Sequence, residues 1–276
     1  MNLALVLALT LASAAPVNES PYDIDPVTDG LITGGGFLFL TMLDGITKKT
    51  LKPTPACAIT EAGHCDPNDL SAFDASIVGK DSQTWRTISD VGLYGSLALP
   101  LIAGGLDYGF GDNGGNGWSS FGKDTLVITE AAVLTTMLTS LFKYAVRRPR
   151  PTQYSTVTQN KFGLPDHQLS FPSGHTSVTA AATTAYAMTF GYKYPNSPWR
   201  WAIYGSAALI TGITGYARTE GGKHFYSDII AGAALGVTMG ILVPYLHRSD
   251  KIDTSQVALG TTNQAIVRGI TLAFPI

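Results

Sequence analysis

Arg218-Thr-Glu-Gly-Gly-Lys-His224-Phe-Tyr-Ser-Asp228 is a polar stretch set between two long apolar runs, residues 199–217 and 229–246. If the chain is helical from His224 onward, His224 and Asp228 lie four residues apart on one face. Asp228 can then accept the proton of one ring nitrogen and leave the other free as a nucleophile. Two earlier stretches share this placement: Lys143-Tyr-Ala-Val-Arg-Arg-Pro-Arg150-Pro151 and Phe171-Pro172-Ser173-Gly174-His175. Each sits where an apolar helical run starts or stops. Together they supply the cations and imidazoles needed to hold a tetrahedral oxyanion and transfer it.

Working outward, the spacing predicts six helices. The first covers residues 30–46, although Gly34-Gly-Gly36 weakens it. The second covers 83–106, with a kink expected at Pro100. The third, 119–146, delivers Lys143 near its end and is stopped by Pro149 and Pro151. The fourth opens at Pro172-Ser-Gly-His175 and runs to about Phe190. The fifth and sixth cover 199–217 and 224–246, separated by Gly221-Gly222. A local helix is expected within 69–78, and the Gly-rich stretch 109–117 reads as a turn, since no strand precedes it. The fold expected is an all-α six-helix bundle with the site at one end, with a short hairpin over residues 264–274 suggested by their β-branched content.

The segments divide as a signal peptide (1–15), an N-terminal segment (16–82), a core (83–248) and a tail (249–276). The signal peptide rests on the apolar run 3–11 followed by Ala12-Ser-Ala14. Cys57 and Cys65 flank a short polar loop; in an exported protein they read as a disulfide worth about 2–3 kcal/mol. The competing idea, a metal site completed by His64 and Asp66, lacks zinc-type spacing. A formal net charge of −2 and scattered basic residues argue against nucleic acid as a partner.

On a helix, Lys143 shares a face with a residue seven positions on, which favours Arg150 over Arg147 or Arg148 as its partner. Arg150 and Arg218 offer rigid forks of donors for phosphate oxygens, and Lys143 a compact charge. Three cations match the charge spread over the equatorial oxygens in phosphoryl transfer. Ser173-Gly174-His175 opens a helix, where unpaired N–H groups favour an anion. His175 is placed to act as general acid. Asp166 and His167 read as solvated loop residues, and Glu130 as a satisfied polar residue.

These stretches resemble the signature of the type 2 phosphatidic acid phosphatase and vanadium-dependent haloperoxidase superfamily. Its pattern is Lys, six residues, Arg-Pro; then Pro-Ser-Gly-His; then Ser-Arg, five residues, His, three residues, Asp. Lys143/Arg150/Pro151, Pro172–His175 and Arg218/His224/Asp228 match it, while Ala217 stands where the pattern has Ser. The resemblance spans the third to the sixth helix. It implies that His224 attacks phosphorus to give a phosphohistidine, oriented by Asp228, with His175 protonating the leaving group. Lys143, Ser173, Gly174, Arg150 and Arg218 would hold the phosphoryl oxygens, with no metal or other cofactor. The expected activity is hydrolysis of phosphate monoesters, either lipid phosphates or small phosphorylated metabolites. The alternative is a haloperoxidase carrying vanadate on His224. The change at Ala217 is expected to alter a local hydrogen bond and leave activity in place.

The family holds both membrane enzymes and soluble exported ones. A cleaved signal peptide followed by six spans would put the cysteines in the cytoplasm, which conflicts with a disulfide. The expectation is therefore an exported, periplasmic or cell-envelope bundle with membrane association, and an integral membrane protein as the alternative.

Overall fold

The computed structural model describes residues 19–50, 57–110, 117–156 and 165–249. The signal peptide (1–15) and the hairpin (264–274) fall outside the described residues. The long helices are α1 (Pro26–Thr50), α3 (Gln83–Phe110), α4 (Gly117–Val146), α5 (Gly174–Lys193), α6 (Trp199–Glu220) and α7 (Tyr226–Leu246). A one-turn helix, α2 (Ala72–Ala75), lies inside the region expected to supply a local helix. Single 3₁₀ turns occur at Pro67–Asp69, Pro151–Gln153 and Pro165–Gln168. Among the described residues there is no strand, and the architecture is the all-α bundle expected.

Helix α5 is the central element, packed against α3, α4, α6 and α7. Most of its buried side chains are small: Ala180, Ala181, Ala182, Ala185 and Ala187, with Thr176, Ser177, Thr179 and Thr183 between them; Phe190 and Lys193 are buried near its C-terminal end. Small residues let helix axes approach closely, and the hydroxyls bond back to the backbone, as Thr183 Oγ1 does to Thr179 O at 2.8 Å. Helix α7 meets α5 through Gly232, Gly236 and Gly240, spaced four apart on one face. A Cβ at Gly232 would lie 2.7 Å from Ser173 O, one at Gly240 2.8 Å from Ala181 O, and one at Gly236 closer still to Ser177 O. Because those atoms are backbone, the helices would have to separate. Gly236→Ala is therefore expected to cost about 1–3 kcal/mol by overpacking. It should lower the thermal midpoint of the detergent-solubilised protein; an unchanged midpoint would mean the two helices are free to part.

The same reasoning explains α1. Gly34-Gly-Gly36 costs helix propensity, yet the helix continues through it, and a Cβ at Gly36 would lie 3.0 Å from Met137 Sδ of α4. Close packing at Gly36 overrides propensity there. Pro100 likewise lies inside one continuous α3.

The bundle turns its large apolar side chains outward. Leu31, Leu38, Val91, Ile102, Leu209, Ile230 and Leu246 are exposed, while the interior is rich in Ala, Thr and Ser, with a few large side chains such as Tyr22, Val127 and Phe225. Four helices are long and apolar enough to cross a membrane, within Pro26–Leu43, Gln83–Gly109, Gly117–Gln153 and Tyr226–Leu246.

Candidate active site

The end of α4, the start of α5, the end of α6 and the loop before α7 meet at one end of the bundle. They enclose a cavity of about 480 Å³ lined by Lys143, Arg150, Gly174, His175, Arg218 and His224, together with Gln83, Arg86, Asp90 and Lys223. The three sequence stretches thus converge. Lys143 Nζ lies 3.6 Å from the point a Gly174 Cβ would occupy, so glycine leaves the space beside the ammonium clear.

His224 is not helical: α7 begins at Tyr226, and the expected start at residue 224 is corrected. His224 and Asp228 are brought together by a helix cap instead of by a helix face. Asp228 sits in the first turn and its Oδ2 accepts the Phe225 N–H at 2.9 Å. The carboxylate is fully buried and also accepts from Ser170 Oγ at 2.5 Å (to Oδ2) and from Arg148 Nη1 at 2.7 Å (to Oδ1). His224 is 1% exposed, with Nδ1 3.5 Å from Asp228 Oδ2 and 3.4 Å from Ser170 Oγ. That face of the ring being turned to the carboxylate, Nε2 is the nitrogen left for the cavity. Burial first, and then the charges of Arg150, Arg218 and Lys143, hold the imidazole well below the ordinary histidine range. The ring is accordingly neutral at neutral pH, the state a nucleophile requires.

Arg150 reaches the cavity by a route the heptad argument did not foresee. Helix α4 ends at Val146, Arg147 takes a left-handed conformation (φ 52°), and Arg150 heads a 3₁₀ turn with its N–H on His167 O at 2.9 Å. Arg148 points elsewhere. It bridges Asp228 to Asp74 Oδ2 (2.7 Å) and stacks its guanidinium over the Phe225 ring. Asp74, on α2, also accepts from Ser227 N at 3.1 Å and Ser227 Oγ at 2.6 Å. The long polar connection after α1 therefore supplies a carboxylate that fixes the site from behind. Cys57 and Cys65 form a disulfide, and Cys65 packs with Ile77, Tyr154 and Phe225 in a buried cluster beside His224. The metal alternative at these cysteines is thereby overturned.

Ser173, the N-cap of α5, is fully buried, its Oγ 2.9 Å from Thr176 Oγ1, and it is not part of the cavity wall. His175 places Nε2 2.8 Å from Asp90 Oδ1, and Arg218 Nη1 lies 3.8 Å from the same oxygen and 3.2 Å from Ser89 Oγ. The site thus contains two His–carboxylate pairs, one at each histidine. Asp90 was missed in the sequence, although Gln83, Arg86 and Asp90 form a polar face at the start of an otherwise apolar helix. His167, read as solvated, is buried with Nδ1 2.7 Å from Thr152 Oγ1. It packs behind Arg150 and leaves the cavity to others.

Such an arrangement can bind a doubly charged tetrahedral group, present an imidazole nitrogen to its central atom and place a second imidazole beside a departing oxygen.

Residues 124–251 match the family model described as the PAP2 superfamily. The chain is similar to a lipid A 1-phosphatase of Porphyromonas gingivalis, 30% identical over 149 residues, covering 53% of this chain and 28% of that protein. It is also similar to a decaprenylphosphoryl-5-phosphoribose phosphatase of Mycobacterium tuberculosis, 30% identical over 121 residues, covering 44% of this chain and 60% of that protein. A crystal structure of a transmembrane PAP2-type phosphatidylglycerolphosphate phosphatase from Bacillus subtilis aligns at 20% identity and a TM-score of 0.47, covering 78% of this chain and 96% of that one. The chain spans 28% and 60% of the length of those two curated relatives. All three stretches that build the cavity fall within the residues that match the PAP2 superfamily model.

Proposed function

We propose that this protein hydrolyses lipid phosphate monoesters through a phosphohistidine on His224. The observation that carries the reading is the convergence of Lys143, Arg150 and Arg218 on the same cavity as His224 and His175. The three cations neutralise the phosphoryl oxygens, and the N-terminal end of α5 at Gly174 adds backbone donors. His224 Nε2 attacks phosphorus as the ester P–O bond breaks, and His175 delivers a proton to the departing oxygen. Water then attacks the phosphohistidine, with His175 taking its proton, and inorganic phosphate leaves. The sum is ester plus water giving alcohol plus phosphate. Asp228, held by Arg148, Ser170 and the Phe225 N–H, stabilises the charge that develops on His224. Asp90 orients His175. Ser173 acts by holding the α5 turn through Thr176.

The outward apolar faces support a lipid substrate and the integral membrane alternative, because a soluble bundle would leave this surface against water. The relatives carry names of lipid-linked phosphatases. The Cys57–Cys65 bond at the catalytic end supports an oxidising, extracytoplasmic side for that end. A phosphate-release panel of phosphatidate, lipid pyrophosphates and soluble monoesters, run with and without chelator on intact spheroplasts and on lysates, tests the reading. Release from phosphatidate, unaffected by chelator and equal before and after lysis, is expected. Activity confined to soluble esters would remove the lipid assignment, and activity appearing only after lysis would reverse the orientation.

The pH dependence follows from the His224 environment. Because its neutral form is required and its pKa is lowered, the acid limb on which kcat/KM is lost through His224 protonation should lie below the ordinary histidine range. Arg150→Gln removes one of the charges that lowers it, so the acid limb of the profile should move upward in pH. A limb that stays in place would mean another group sets it.

A further inference from the structure

At the opposite end of the bundle, three side chains from three helices or their ends converge. His247 Nε2, just past α7, lies 3.4 Å from Asp29 Oδ1 of α1 and 3.4 Å from Glu130 Oε2 of α4. The three ligand atoms lie within 4.8 Å of one another. His247 Nδ1 sits 2.9 Å from Val243 O, and since a carbonyl only accepts, Nδ1 carries the hydrogen. In the neutral ring, Nε2 then presents a lone pair to two carboxylates.

Glu130 is 3% exposed, and its Oε2 has no hydrogen-bond partner although it faces His247. Thr33 Oγ1, one turn beyond Asp29 on α1, is also buried without one. If Nε2 carried a proton shared with these carboxylates, a charge-assisted bond of about 2.7–2.9 Å would be expected. Both separations are instead 3.4 Å. That is the edge of a tetrahedron whose metal–ligand bonds are about 2.1 Å, the length for zinc with nitrogen or carboxylate oxygen. A histidine whose second nitrogen donates to a backbone carbonyl is the usual orientation of a metal ligand.

We propose that Asp29, Glu130 and His247 form a structural divalent-cation site, of zinc type, that pins α1 to the bundle. The imidazole favours a first-row transition ion over magnesium or calcium, and a water completes the coordination. Helix α1 is the element most in need of such a tie, because residues 26–43 are mostly exposed and, among the described residues, α4 is its main packing partner. The site lies at the end of α7 opposite His224, so it stands apart from the catalytic proposal.

The test uses the full-length protein in detergent, stripped with chelator and dialysed against Zn²⁺ alone or Co²⁺ alone. About one zinc per chain should be retained, with cobalt giving the visible absorption of a low-coordinate site. Zinc should raise the thermal midpoint, and phosphate release by the stripped protein should stay within about twofold of the loaded protein, as a structural ion requires. Glu130→Gln keeps the shape and removes a ligand charge; it should weaken zinc binding by about 10²-fold or more. Asp29→Asn serves as the second variant should Glu130→Gln fold poorly. Wild-type protein that retains no zinc, or retention equal in the variants, would overturn the site. So would a stripped protein whose midpoint ignores zinc.

Discussion

Phosphate release by His224→Ala should fall to the uncatalysed background, with the fold intact. His224 is the one imidazole in the cavity whose ring is backed by a fully buried carboxylate, with Nε2 left toward the three cations. Without it, Lys143, Arg150 and Arg218 still bind the phosphoryl group but have nothing to transfer it to. Substrate binding, read by competition with inorganic phosphate or vanadate, should therefore survive in the variant. Turnover near the wild-type rate would remove His224 as nucleophile.

His175→Ala should lose activity according to the leaving group. An alkoxide needs a proton in the transition state, and a positioned imidazole contributes about 10²–10⁴-fold. A nitrophenolate departs readily as an anion and needs far less help. The loss should approach that full factor for a lipid phosphate and be much smaller for nitrophenyl phosphate, provided formation of the phosphoenzyme limits both. A burst experiment establishes which step limits. Equal losses for both substrates would make His175 a phosphate ligand. Asp90, bonded to His175 Nε2, should show the same leaving-group pattern at smaller amplitude when changed to Asn.

What was legible in the sequence was the chemistry carried by short spacings. Lys143, Arg150, Gly174, His175, Arg218 and His224 all reach the cavity because each lies within a turn or so of a helix end, and helix ends gather at one face of a bundle. The reasons given for two of them were wrong in detail. His224 stands before α7, where Asp228 caps the helix through Phe225 N–H, and Arg150 follows a left-handed turn at Arg147 that breaks the heptad. Asp74 and Ser170 were invisible because their partners, Ser227 and Asp228, lie 153 and 58 positions away in the chain. The weak amphipathicity of the helices also has a physical cause. Their inner faces are rich in Ala, Thr, Ser and Gly, so the polarity contrast between the two faces is small and many of the large apolar residues lie outside. Glu130 was read as satisfied, yet its Oε2 is buried without a hydrogen bond and faces His247.

The covalent step can be trapped directly. Wild-type protein quenched in alkali during turnover of ³²P-labelled phosphatidate should carry label that is stable to base, lost in mild acid, and located on the peptide containing His224. His175→Ala should accumulate such label if hydrolysis of the intermediate slows, and His224→Ala should carry none. Label on no residue in a rapid-quench series that catches the first turnover, with phosphate released normally, would mean water attacks phosphorus directly, and the phosphohistidine account would be contradicted.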